Sequence, residues 1–305
     1  MDDLEVRELR YFVAVAEELN FTRAAERLGM AQPPLSRVIR QIEARLGVQL
    51  LERSTRHVSL TIAGTTLLDE AKDVLDAVSA ASRRTRRAGT TAPRLVITAK
   101  SGVATGLLQR IVDAYHSRST AAHAEIEVSG WGEQAGMVHD GRADLALLSS
   151  PYDASGLDAE SLTTEPRVLA LPVDHRLARR RELRCQDLAG ESMPRWADST
   201  AAERAYWSGR AAGGPTEPHG PVVTDGAQLL EVVGLGQAVA LVPRSMAELN
   251  PRVDVAYRAV SDASPYAVAV AWPPGARSRA ISEFVRVAIE YSARLNAGAY
   301  AVAVD

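Results

Sequence analysis

Apolar residues recur at helical spacing from the start of the chain. Leu9, Phe12, Val13, Ala16 and Leu19 predict an amphipathic helix over 8–19. Asn20-Phe21 interrupts it, and Thr22 is a good N-cap for a short second helix, Arg23–Leu28. Gly29 then supplies a left-handed turn. A third helix begins near Gln32, with Pro33 and Pro34 in its first turn, where their missing N–H groups would have had no partner. Leu35, Val38, Ile39, Ile42 and Leu46 form its buried stripe, which leaves Gln32, Ser36, Arg37, Arg40 and Gln41 mostly outside. Gly47 ends it. The alternation over 48–54 and 57–60 predicts a two-stranded ribbon with Arg53, Arg56 and His57 at its tip. Thr61 caps a long helix in which Leu67, Leu68, Ala71, Val74, Leu75, Val78 and Ala81 share one side. A stripe on a helix between two globular parts has to be buried somewhere. Pairing with a second copy is the direct solution, and packing on the chain's own C-terminal part is the alternative.

From Arg94 the pattern changes. Strand patterns at 95–98, 125–129 and 144–148 alternate with helical ones at 107–115 and 134–139. That order predicts a parallel sheet with flanking helices. It shifts at Glu165-Pro166, restarts at Val168–Leu171, and runs through Val239–Val242 to a strand at Tyr266–Trp272 and a long helix at 278–295. Two α/β lobes joined by two crossings explain this order.

Composition narrows the picture. With 305 residues, 46% hydrophobic and 24% charged, the chain is long enough for two or three domains and too apolar for disorder. No apolar run approaches the ~20 residues of a membrane span, and the N-terminal MDDLEVREL has no apolar signal core, so a cytoplasmic location is expected. The single cysteine, Cys185, excludes an internal disulfide and a multi-cysteine zinc site. Six histidines show no ligand spacing, and Gly234-Leu235-Gly236 follows a helix rather than a strand, so neither a metal nor a dinucleotide cofactor is expected. Net charge is −3 overall but +4 over residues 20–60 and −7 elsewhere. A basic module on an acidic chain points to a local polyanion contact.

The basic module is also a helix, a short turn and a second helix with an arginine-bearing outer face, which is the geometry that enters a DNA major groove. Glutamine pairs with adenine there, and arginine with guanine or phosphate. Residues 9–64, with FTRAAERL, AQPPLSRVIRQIE, LGVQLLER and LTIAG, resemble the winged helix-turn-helix of LysR-type transcriptional regulators almost end to end. The resemblance implies that Gln32, Pro33, Ser36 and Arg37 face DNA and that Arg53 reaches the minor groove from the wing. Thr22, Arg23, Pro34, Arg40, Arg56 and His57 complete the expected DNA-binding set. Ala31 stands where the family commonly has Ser or Thr, so a side-chain cap is expected to be missing. GRADLALL, VLALPVDHRLA and VVGLGQAVALVPRSM extend the resemblance to the effector domain, with its periplasmic-binding-protein fold.

The expected α/β organisation is therefore a winged helix-turn-helix over 1–60, a linker and dimerisation helix with hinge over 61–93, and an effector-binding domain over 94–305. Lobe one takes 94–163 and 266–305, and lobe two takes 164–265. An effector would lie between the lobes, where strand ends and helix N-termini converge. The candidates are Lys100, Ser101 and Gly102 after the first strand, Trp131, Gly132 and Glu133 after the second, and Ser149 and Ser150 after the third. Arg195, Trp196, Thr224 and Asp225 are their counterparts in lobe two. Lysine and arginine suit a carboxylate and tryptophan suits a ring, whereas Glu133 and Asp225 would suit an amine. Expected partners are promoter DNA, a small carboxylate effector, RNA polymerase, and further copies of the chain as a dimer through the linker helix or a tetramer. A two-lobed enzyme with a regulatory N-terminal domain is the alternative, but no catalytic constellation supports it. A DNA-binding structural protein without an effector is the third reading.

Overall fold

The computed structural model describes residues 4–53, 57–89, 94–102, 105–118, 122–197, 199–209 and 219–302, with backbone only for 88, 105 and 296–302. The chain divides into two compact units, Met1–Thr90 with His139–Arg142, and Thr91–Val138 with Ala143–Asp305.

The first unit contains α1 (Val6–Glu18), α2 (Phe21–Arg27), α3 (Gln32–Leu46), β1 (Leu51–Arg53), β2 (Val58–Leu60) and α4 (Ile62–Ala88). Phe12, Val15, Ala24, Ala25, Leu35, Ile39 and Ile42 form its core. The small pair Ala24-Ala25 lets α3 cross α2 closely. The cap of α2 differs from expectation. Asn20, not Thr22, fills the role, its Oδ1 accepting from the N–H groups of Thr22 at 2.9 Å and Arg23 at 3.1 Å. The helix starts two residues earlier than its apolar pattern suggested, so Thr22 already lies inside it. Gly47 ends α3 at φ 68°, a left-handed conformation costly for any residue with a Cβ. β1 and β2 pair antiparallel, with Leu51 opposite Leu60 and Arg53 opposite Val58. Thr61 caps α4 as expected, its hydroxyl accepting from the Gly64 N–H at 3.0 Å. Gly64 has no room for a side chain, because a Cβ there would lie 2.0 Å from the Leu50 carbonyl oxygen. At 27 residues α4 is ~40 Å long. Leu67 and Leu68 pack on the core, but Val74 and Ala81, on the same predicted stripe, are exposed.

The second unit opens with β3 (Arg94–Lys100), α5 (Thr105–Arg118), β4 (His123–Ser129), α6 (Gln134–His139), β5 (Leu145–Ser149) and β6 (Asp158–Glu165). It continues through β7 (Arg167–Pro172), β8 (Glu182–Leu183), β9 (Arg195–Trp196), α7 (Ala201–Trp207), β10 (Val222–Val223) and α8 (Gly226–Gly234). It ends with β11 (Ala240–Pro243), α9 (Arg244–Leu249), β12 (Val255–Val260), β13 (Tyr266–Trp272) and α10 (Arg279–Val302). One sheet has the order β4-β3-β5-β13-β6 and the other β11-β7-β12-β8, with β9 and β10 as a separate parallel pair. The chain passes between the sheets twice, at Glu165–Arg167 and between β12 and β13.

The sheets are mixed rather than parallel. β3 runs parallel to β4 and β5, whereas β13 is antiparallel to both β5 and β6. β7 is antiparallel to β11 and β12. The βαβ rule governs strands joined within one sheet, and β13 arrives from the other lobe, so the rule does not constrain its direction. The crossings are tied down by a buried arginine. Arg167 is 2% exposed, and its guanidinium donates to the Ser264 carbonyl at 2.6 Å and the Tyr206 carbonyl at 2.7 Å. It also lies 3.9 Å from the centre of the Tyr206 ring. Beside it the Glu165 carboxylate accepts from the backbone N–H and hydroxyl of Ser245. Among the described residues no helix is long and apolar enough to cross a membrane.

Candidate functional site

In the first unit, α3 presents the expected polar face. Gln32, Pro33, Pro34, Arg37 and Arg40 are exposed and Ser36 is half-buried. The helix N-cap is Ala31, and no side chain caps the first turn. Its open N–H groups and positive dipole end can therefore receive an anion. Gln32 and Arg37 make no hydrogen bond or ion pair with any described residue. Arg40 donates from Nε to the Ser36 carbonyl at 3.3 Å. Thr22 is exposed, and Arg23 pairs with Glu18 at 3.3 Å. Arg53 is more constrained than its place at the ribbon end implied. It pairs with Glu43 at 2.6 Å, its guanidinium lies 5.0 Å from the centre of the Phe21 ring, and its side chain is 28% exposed. Glu43 also accepts from the N–H groups of Leu50 and Leu51, so one carboxylate holds both the start of the ribbon and its arginine. His57 is exposed, and Arg56 lies outside the described residues.

In the second unit, a cavity of about 120 Å³ lies where the two lobes meet. Lys100, Ser101 and Gly102 line it from the end of β3, Trp131 from the turn after β4, and Trp196, Thr224 and Asp225 from lobe two. Five expected residues do not. Gly132 forms the left-handed turn at φ 77°. Glu133 turns back to accept from the Gly130 N–H at 3.0 Å and so caps its own loop. Ser150 belongs to the β13 edge, exchanging hydrogen bonds with Ala267. Ser149 faces the Tyr266 hydroxyl, which makes no hydrogen bond of standard geometry. Arg195 points away, its Nε directed at the Gly220 carbonyl at 3.4 Å. The pleat explains this: neighbours in a strand face opposite sides, so with Trp196 turned inward Arg195 must turn outward.

Sequence reasoning missed Trp207 on α7, Tyr266 at the start of β13 and an apolar lobe-two wall that includes Leu229, Val242 and Met246. The indoles of Trp131 and Trp196 stack with centroids 3.8 Å apart and planes 11° apart. Trp207 is tilted against both, at 5.6 Å and 5.9 Å. The Lys100 Nζ sits 3.8 Å from the centre of the Trp131 ring and 5.5 Å from that of Tyr266. It forms no hydrogen bond or ion pair with a described residue. Burial pulls the Lys100 ammonium down to about 7, opposed by the charge of Glu203. The lobe-two polar groups are satisfied locally. Asp225 caps α8 by accepting from the Gln228 N–H at 2.8 Å, and Thr224 donates to the Gln228 side chain. Among the described residues the buried Trp207 Nε1–H has no partner, and the buried Tyr266 hydroxyl has only Ser149 facing it.

Family models match both units. "Bacterial regulatory helix-turn-helix protein, lysR family" covers residues 6–65, and "LysR substrate binding domain" covers 88–293. The chain belongs to the LysR family of transcriptional regulators. Such a regulator couples promoter binding to a small-molecule effector and works as an oligomer. This LysR regulator is 32% identical over 96% of its length to the whole of the Hca operon transcriptional activator HcaR of Escherichia coli K12. It is 30% identical over 93% of its length to the whole of BudR of Raoultella terrigena. Full-length BenM matches with a TM-score of 0.55 and 26% identity, covering 96% of this chain and 98% of that one. Full-length CbnR in complex with its target DNA matches with a TM-score of 0.53 and 25% identity, covering 95% and 100%.

Proposed function

We propose that this LysR regulator controls transcription by sensing a small carboxylate in the inter-lobe cavity, and that α3 reads the promoter through Gln32, Ser36 and Arg37. The observation that carries the reading is Lys100: a buried cation with no ionic partner among the described residues, facing a cavity, is completed by an anionic ligand. Ligand binding would bias the arrangement of the lobes, and through it the spacing of paired DNA-binding units. The regulator acts in the cytoplasm, without catalysis, as a dimer paired through α4 or as a tetramer of such dimers, and contacts RNA polymerase at its promoter. A two-fold dimer calls for a roughly palindromic operator with half-sites one or more helical turns apart.

The test begins with genomic fragments retained by the immobilised full-length chain, followed by anisotropy titration of the recovered operator. Arg37→Ala is expected to weaken binding by about 1–3 kcal/mol and to relax sequence preference at one position. Affinity is expected to fall steeply with salt as phosphate counterions are released. Unchanged affinity for Arg37→Ala would remove α3 from the groove.

A further inference from the structure

The cleft is closed on itself. Trp131 from lobe one and Trp196 from lobe two lie in van der Waals contact, so a bridge of two indoles joins the lobes. A flat ring added to that stack keeps its geometry and widens the spacing by one ring thickness, whereas a puckered ring is thicker and has no π face to offer either indole. The cavity of about 120 Å³ is close to the ~150 Å³ of a cavity known to hold benzene, so it offers room for one six-membered ring.

The polar groups set the rest. Lys100 Nζ, Trp207 Nε1–H and the Tyr266 hydroxyl belong to side chains that line this cavity; among the described residues Lys100 and Trp207 have no hydrogen-bond partner, and the Tyr266 hydroxyl has only Ser149 facing it. An ammonium and an indole N–H are donors only, so the set calls for acceptor oxygens. Charge counting limits their number. Among the described residues Lys100 is the one cation lining the cavity, whereas Asp225 lines it from lobe two and Glu203 acts on Lys100 from α7. A second carboxylate on the ligand would add to that negative charge with no described cation left to balance it.

We propose that the effector is a planar, single-ring aromatic monocarboxylate. Its ring enters the Trp131–Trp196 stack, and its carboxylate is taken by Lys100, Trp207 and Tyr266. The inference rests on the cavity being the effector site and adds the class of molecule it selects. Burial leaves Lys100 near 7, with Glu203 and Asp225 as the acids and Tyr266 as the other titratable group facing it. A bound carboxylate therefore draws a proton onto Lys100 above neutral pH.

The test uses the full-length chain with four probes: benzoate, cyclohexanecarboxylate, benzamide and terephthalate. Benzoate is expected to change the tryptophan emission and to bind about ten-fold more tightly than each of the others, the size of one good aromatic pairing. Calorimetry at pH 8 in two buffers of different ionisation enthalpy should show proton uptake with benzoate. Trp131→Leu should erase the preference for benzoate over cyclohexanecarboxylate, and Trp131→Phe should restore part of it. Lys100→Met should erase the preference for benzoate over benzamide together with the proton uptake.

Equal affinity for benzoate and cyclohexanecarboxylate, both lost in Lys100→Met, overturns the aromatic slot and leaves the anion site standing. Carboxylates that bind Lys100→Met as tightly as the parent overturn both. Tighter binding of terephthalate, or no binding by any probe, overturns the ligand class.

Discussion

Lys100 is costly to the empty protein, and the cost depends on pH. In the folded chain it titrates near 7, and unfolded it titrates near 10.5. Between those values the unfolded chain holds more protons, so stability contributed at this site rises with pH across that window; below 7 the penalty is felt in full. Lys100→Met is therefore expected to raise the melting temperature at pH 6, and the gain should shrink steadily toward pH 9. Thermal melts across that range decide it: a gain independent of pH would mean that Lys100 is not held against its charge. Lys100 and Trp131 were legible because each ends or follows a strand read in its true direction, whereas the two-residue β9 that carries Trp196 has too short a pattern to be read as a strand. Tyr266 was not, because a parallel β13 would carry its first residue to the far end of the sheet. Its antiparallel course sets that end beside the close of β5, where Val268 pairs with Ser149. Trp207 stayed hidden because the short α7 had no strong apolar period. Arg195 is a counterpart of the lobe-one residues by its position in the chain, but the two-fold alternation of β9 turns it away from Trp196.

Short-range signals at helix ends set the bounds of several first-unit helices. Thr61 as a cap, Gly47 as a stop and the prolines of α3 are local chemistry, and the chain obeys it. Asn20 shows how a cap is misplaced: asparagine and threonine both accept from backbone N–H groups, and the apolar spacing could not say which came first. Strand direction in the second unit depends on which lobe a strand comes from, and no local pattern encodes that. Gly64 makes a sharper element-level claim. The first turn of α4 lies so close to the Leu50 carbonyl that an alanine methyl would have to displace the helix or the ribbon start. Gly64→Ala is expected to cost about 1–3 kcal/mol, as overpacking does, despite the better helix propensity of alanine. Denaturant melts of the full chain would check it. A neutral or stabilising result would show that the helix and ribbon can part without loss.

At the scale of the molecule, α4 has more apolar surface than one chain covers. Val74 is 42% exposed, and Leu75 and Val78 are only half-buried. If that side pairs with a second copy, Leu75→Asp places a carboxylate in the seam. Sedimentation is expected to show smaller assemblies, and operator binding should lose its dependence on two half-sites. Unchanged sedimentation would move the pairing surface elsewhere. Chain order has a separate consequence. The first unit owns its core outright, whereas the β4-β3-β5-β13-β6 sheet waits for a strand that arrives only after the whole of lobe two. At roughly 5–20 residues per second, a ribosome leaves an interval of about 10–40 s between the two events. During synthesis, the part that grips promoters is thus ready before the part that listens. A message truncated after residue 100 would encode a promoter binder deaf to its metabolite.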